Sequence, residues 1–272
     1  MTYGYTPSPI STLSPGFTAH RKTLGQLVRV SLGGIEGETQ RPLYGPGGWY
    51  WLVQTITGWW ETAPIETSTV KHPLGSGVLA LTPQFGPRPI SISGRIIADR
   101  GGPGALEAAL DELGSIKHGV LLIDELQRGL CREADVRLTD MQVTRETNIR
   151  ASVTLSLQAD DPRRYGSAVQ KLKNGSNTLL NPGNSPCFPT ISLVGPHSAL
   201  TITHPGGNYT FPALSTGQRR RIQGATRNVW AGDTRVFVGS GPYPRVEEGG
   251  ARWTINGLGN GTATAQRIEA WM

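Results

Sequence analysis

The chain has 272 residues, enough for one large domain or two ordinary ones with a sizeable core. Its 36 glycines and 20 prolines exceed what a helical bundle tolerates, and at 17% charged residues are too sparse for long solvated helices, so many short strands joined by Gly/Pro turns are expected. The formal charge of +6 is uneven: residues 1–170 hold 16 Lys/Arg and 16 Asp/Glu, so the whole surplus falls in 171–272.

In chain order, residues 1–23 read as an extended arm, with Pro7, Pro9 and Pro15 blocking regular structure. They show no basic start followed by an apolar run, and no stretch is apolar for long enough to span a bilayer. A chain made in the cytoplasm, with no membrane insertion, is therefore expected. Leu24–Leu32 comes close to alternating and predicts a first strand, turned at Gly33 and Gly34. An aromatic stretch follows from Trp49 to Trp60, holding Trp49, Trp51, Trp59 and Trp60. Its aromatic and β-branched content predicts a strand, and so much indole in one place suggests an interface as much as a core. Ile90–Ala98 predicts a strand with Ile90 and Ile92 inward, Ser91 and Ser93 outward, and Gly94 interrupting the pattern.

The next segment predicts the one helix. Gly101 and Gly102 lead in, Pro103 fits its first turn, and Leu106, Ala109, Leu110 and Leu113 share a face, with Gly114 or Gly119 closing it. Strands are expected again at Val120–Ile123, Cys131–Leu138 and Ile149–Leu157. The first unit closes at Asp161-Pro162, because a residue before proline is pushed out of the helical region. The segment Asp160, Asp161, Pro162, Arg163, Arg164 and Tyr165 is read as the hinge, its arginines free to pair with the two carboxylates. A polar connector covers 166–171. From residue 172 the chain reads as short strands at regular spacing, punctuated by Pro/Gly/Asn turns and ending in a strand Ala263–Trp271, the pattern of a β-sandwich or jelly roll.

Catalytic and metal signatures are missing from the sequence. His20, His72, His118, His197 and His204 have no ligand spacing and read as turn or surface histidines. Cys131 and Cys187 are too few for a cysteine metal site and read as small buried hydrophobes. Gly101 to Gly104 opens a helix, but it lacks the Lys-Ser/Thr of a phosphate loop, and Pro103 removes a donor. Asp160 and Asp161 are adjacent, so on a strand they point to opposite faces and cannot converge on one substrate. No catalytic residue, cofactor or metal is assigned. The one dense basic run, Arg219 to Arg221, has no aromatic residue interleaved, as single-stranded nucleic acid would require. The basic C-terminal half reads as a solvated or partner-facing surface, with nucleic-acid binding and carbohydrate recognition by the C-terminal sandwich as the alternatives.

Five stretches carry a resemblance: Arg88–Ile97 (RPISISGRII) leading to a helix, Ala151–Leu157 (ASVTLSL) ending in Ala159–Tyr165 (ADDPRRY), Asn181–Gly195 (NPGNSPCFPTISLVG), Trp253–Gly261 (WTINGLGNG) and the closing Glu269–Trp271 (EAW). In this order the chain resembles the distal tail protein family of long non-contractile-tailed bacteriophages. The resemblance implies an N-terminal split β-barrel belt domain with one helix (24–165) and a C-terminal galectin-like β-sandwich (172–272). It also implies a virion structural role and no enzymatic activity. The belts would close into a ring, most simply a hexamer, at the virion tail tip. That ring would join the tail-tube protein to a tail-tip hub or fibre protein, with DNA passing through its lumen without specific binding. Trp49, Trp51, Trp59, Trp60, Ile90 and Ile92 are the candidates for ring contacts on aromatic density alone. Sugar-binding galectins use a His-Asn-Arg set, which His204 to Asn208 does not reproduce.

Overall fold

The computed structural model describes residues 27–40, 42–67, 69–71, 78–80, 84–224, 228–232, 234–236 and 240–272. The expected arm, His20 and His72 lie outside them. The first strands are β1 (Val28–Leu32), β2 (Ile35–Glu38) and β3 (Tyr50–Thr57). Two short ribbons follow, β4 (Ile65–Glu66) paired with β7 (Gln84–Phe85), and β5 (Thr69–Lys71) paired with β6 (Val78–Ala80). Then come β8 (Arg88–Ile97), α1 (Gly102–Ser115), β9 (His118–Glu125), β10 (Leu130–Thr147) and β11 (Arg150–Ala159). Strands order as β11-β8-β3-β2-β1-β9-β10, and β10 pairs back onto β11, which closes a seven-stranded barrel. Every step is antiparallel except β2 to β3, where Gly37 and Glu38 lie beside Trp51 and Leu52 in parallel.

The alternation seen in the sequence fills this barrel. Ile90, Ile92 and Ile96 on β8 and Ala151, Val153, Leu155 and Leu157 on β11 are buried in one cluster with β1, β3 and β9. Leu106, Ala109, Leu110 and Leu113 of α1 are buried in that same cluster. The helix entry is tied down by backbone bonds: Gly48 O accepts from the Arg100 and Gly101 N–H groups, and Ala98 O accepts from Gly102. Those donors are therefore not aimed at an anion.

β8 runs through Gly94 to Ile97, as the expected strand Ile90–Ala98 does, and its inward alternation continues across the glycine. A Cβ there would lie 2.4 Å from Leu52 O and 2.8 Å from Trp51 Nε1, so glycine is required for β8 and β3 to approach. β10 runs 18 residues, well past the expected Leu138, because its second half finds a partner in β11.

After Ala159 come β12 (Arg164–Gly166), β13 (Val169–Leu172), β14 (Gly175–Leu179), β15 (Thr190–Val194), β16 (Leu200–His204), β17 (Gly207–Phe211), β18 (Arg219–Gln223), β19 (Asn228–Ala231), β20 (Thr234–Val236), β21 (Ala251–Asn256), β22 (Thr262–Gln266) and β23 (Ala270–Trp271). The sheets β13-β22-β15-β18-β19-β20 and β14-β21-β16-β17 enclose a second core that includes Trp253, Phe211, Ile191, Ile202 and Ile255. The fold is mainly β, a barrel with one helix followed by a sandwich.

Two expectations need correction here. The stretch read as a polar connector supplies β13, which pairs with β22, so the sandwich begins earlier than residue 172. The expected last strand breaks in two: β22 stays in the sandwich, whereas β23 crosses to pair with β12 and extends the barrel's own sheet.

The glycine constraint is testable. Gly94→Ala should destabilise the protein by about 2 kcal/mol or more, since the clash is with backbone and a buried indole that cannot move aside. Denaturant titration followed by tryptophan fluorescence reads this directly, and an unchanged midpoint would mean that the strands are not so closely packed.

Candidate functional site: the junction and the exposed strand edge

The segment read as a hinge is a dense knot of hydrogen bonds. Asp160 points outward and pairs with Arg137 (3.2 Å), while Asp161 turns inward. The Asp161 carboxylate accepts from the Arg163 N–H (3.1 Å), the Arg163 guanidinium (3.2 Å) and the Tyr165 hydroxyl (2.5 Å). Burial, with Asp161 beside it, pushes the Tyr165 hydroxyl well above the usual phenol range. Adjacent carboxylates thus serve different partners, although both lie in the bend between β11 and β12 rather than on a strand.

The two arginines divide as well. Arg163 bonds Asp161 and Ser185 Oγ (3.1 Å), but Arg164 pairs with neither aspartate. It is buried, and donates Nη1 to Trp59 O (2.7 Å) and Nη2 to Met272 O (2.9 Å). Arg88, 1% exposed, reaches the same region, donating to Pro162 O (2.8 Å), Gly58 O (3.0 Å) and Glu61 O (2.5 Å). Burial first, then the positive neighbours Arg88 and Arg132, lowers the Arg164 guanidinium to about 10. For a base held below its ordinary value, the folded state bears a cost at every pH below about 10, relieved only as pH rises beyond it. Arg164 is therefore retained for geometry: its fork ties the end of β3 to the chain's last residue.

A third buried guanidinium bridges the two units. Arg267 sits between β22 and β23 with φ 57, the one non-glycine positive φ among the described residues. Its Nε donates to Glu133 (2.6 Å), and Nη1 and Nη2 donate to the two oxygens of Asp135 (2.5 and 2.8 Å), all on β10. These carboxylates outweigh desolvation and hold the cation charged.

The residues expected at a ring interface are in the barrel core. Trp49, Trp51, Trp59, Ile90 and Ile92 are buried, and Trp60 packs against the same cluster with its Nε1 donating to Glu125 (3.1 Å). Their strands are paired on both edges. The aromatic density serves packing inside the barrel. The histidine and cysteine expectations also shift. His197 and His204 are buried rather than superficial; His204 Nε2 lies 3.0 Å from Pro242 O and its Nδ1 accepts from Gly206 (3.1 Å). Cys187 is buried with its thiol 3.1 Å from Ile268 O, whereas Cys131 is partly exposed. Among the described residues no three metal-binding side chains cluster.

What sequence reasoning missed is an edge. On its β9 side, β10 is paired only through Arg137, and the Leu138 N–H goes to Lys117 O (3.1 Å). From Thr139 to Thr147 no strand covers that edge among the described residues, and nearly every side chain is exposed on both faces. Exposed apolar groups include Val143 on this stretch and, elsewhere on the barrel unit, Ile65 (60% exposed) and Phe85 (45%), which face each other across the β4–β7 ribbon.

No family model matches the chain, and no curated protein matches it. Among solved structures it is similar to the Dit (gp 19.1) protein of phage SPP1, described as a paradigm of the hub adsorption apparatus in phages infecting Gram-positive bacteria. Identity is 14% and the TM-score 0.53, over 90% of this chain and 99% of that one. Two structures of the phage P2 baseplate in its activated conformation, with Ca and with Sr, match at 10% and 9% identity and TM-scores of 0.47 and 0.48. Each match covers 89% of this chain and 98% of the other. The fold of the SPP1 protein, barrel and sandwich together, is the fold of this chain.

Two outcomes follow from the junction. Arg267→Ala should cost about 2 kcal/mol of stability, less than for a fully buried pair because Asp135 is 45% exposed, and should uncouple the unfolding of barrel and sandwich. Calorimetry showing one unshifted transition would refute this. Burial pushes the Cys187 thiol up to about 12, so iodoacetamide at pH 8 should leave it unmodified in the folded protein and alkylate it after unfolding; peptide mass mapping reads both states.

Proposed function

We propose that this chain is a structural protein of a phage tail tip, a belt-and-sandwich subunit that closes into a hexameric ring. The ring joins the tail-tube protein to the hub or fibre proteins of the host-attachment apparatus and leaves a lumen for DNA. The observation that carries this reading is the two-unit fold shared over nearly the full length of both chains with the SPP1 hub protein. The role is architectural, and the junction chemistry agrees with it: the polar side chains there are engaged with one another and with backbone carbonyls, fixing two units at one angle.

A ring needs a heterologous contact, in which two different surfaces of one subunit meet. The barrel unit presents two such surfaces, the uncovered β10 edge from Thr139 to Thr147 and the apolar Ile65–Phe85 ribbon. The reading places the ribbon of one subunit against the β10–β11 hairpin of the next, where an open edge can accept main-chain hydrogen bonds. This replaces the tryptophan patch as the ring contact.

Light scattering and negative-stain images of the purified protein should show a closed particle of six copies. Ile65→Asp with Phe85→Asp should yield monomers with an unchanged melting temperature, because both side chains are exposed in the monomer. A wild-type protein that stays monomeric at high concentration would overturn the ring.

A further inference from the structure

The basic surplus of the C-terminal half acquires a shape in the sandwich. Registers across the six-stranded sheet place Lys171, Thr264, Ser192, Arg221, Trp230 and Arg235 in one row, each residue directly opposite the next. Directly paired residues project to the same face, and this face points away from the core: Lys171, Arg221 and Arg235 are exposed, while alternate residues such as Ile222, Ala263 and Val229 are buried. Arg219, two residues before Arg221, is exposed on the same side. Arg220 alone of the basic run turns to the inner side.

Among the described residues this outer face carries no Asp or Glu, and none of Lys171, Arg219, Arg221 and Arg235 has an ion-pair partner. Trp230 is half-buried between Arg221 and Arg235 in the ladder, and among the described residues no cation or ring stacks on it there. With strands about 4.8 Å apart, the two guanidiniums start about 10 Å from each other with the indole between them, and the whole row spans about 24 Å. Four uncompensated cations, one aromatic plate and hydroxyl side chains therefore share one outward face of the sheet.

We infer that this face binds an anionic glycan polymer, one bearing phosphate or carboxylate groups along a hydroxyl-rich chain. Arginines flanking an indole suit sugar rings that carry charge: the ring stacks on Trp230, while Arg221 and Arg235 take the anionic groups on either side with forked hydrogen bonds. Ser192 and Thr264 offer donors and acceptors to neutral hydroxyls along the row. Single-stranded nucleic acid is less well served, because a lone aromatic cannot stack successive bases. A protein partner would be expected to meet a more apolar centre than this row supplies. The inference does not depend on the ring, since the face lies on the sandwich and is complete in one chain.

The test uses the full-length protein on biosensor surfaces carrying a phosphomannan, polygalacturonate or a single-stranded DNA oligonucleotide. We expect retention on at least one of the two polymers at 50 mM NaCl, weakening as salt rises; whichever polymer is preferred identifies phosphate or carboxylate as the recognised group. Arg221→Gln with Arg235→Gln should weaken that binding at least tenfold, and Trp230→Ala at least fivefold. Lys117→Gln with Arg150→Gln, an equal loss of charge on the barrel, should leave it unchanged. Both arginines are exposed, so this pair keeps the test open if Trp230→Ala fails to fold. Absence of retention on both polymers, equal loss in the two charge-removal pairs, or tighter retention on DNA than on either polymer would each overturn the inference.

Discussion

The structure turns on taking one guanidinium, that of Arg267, out of water between two β-rich units. A buried cation is costly unless its charge and its donors are both matched. Here Glu133 and Asp135 supply charge and a two-oxygen fork, and both stand on the same strand of the barrel. Because that strand is β10, the clamp reaches the element that closes the barrel onto β11 and carries β12 on the way out. The positive φ at Arg267 is the local consequence: the chain must leave the sandwich at β22 and turn so that β23 can reach β12. The end of the sequence is thereby sewn into the sheet of its first half, and Arg164 completes the seam by holding Trp59 and Met272 with one side chain.

This arrangement explains why the segment Asp160 to Tyr165 is a poor hinge. Asp161 fixes Arg163 and Tyr165, Pro162 offers its carbonyl to Arg88, and Tyr165 already belongs to the core of the sandwich. Under the proposed ring, such rigidity would hold the sandwich at a constant angle to the barrel. The surfaces left for partners are those that the internal network does not consume: the far half of β10, the Ile65–Phe85 ribbon and the outer face of the six-stranded sheet.

The division of tasks between core and surface also decides what the tryptophans do. Gathering Trp49, Trp51 and Trp59 in one stretch of sequence looks like a sticky patch, yet a closed barrel has an interior to fill, and β3 passes between β2 and β8 with its large side chains inward. Gly37 and Gly94 make room for Trp51, because a Cβ at either would crowd its indole. By contrast Trp230, isolated in the sequence, is the indole placed at a surface between two arginines.

The sequence by itself determined the mainly β class, the helix with its Leu106, Ala109, Leu110 and Leu113 face, and the inward set of β8 and β11. Each of these rests on local periodicity and on Gly/Pro chemistry, which act between near neighbours in the chain. The order of features was also enough to suggest the tail-protein resemblance. Only the tertiary structure decided what depends on registers between distant strands: that the tryptophan patch lies inside, that the final strand splits at Arg267 to meet β10, that β10 keeps an open edge, and that Arg221, Trp230 and Arg235 stand side by side. Pairing between strands far apart in sequence leaves no periodic trace, because what selects the partner is closure of the barrel and packing of the sandwich rather than any preference of the residues within one strand.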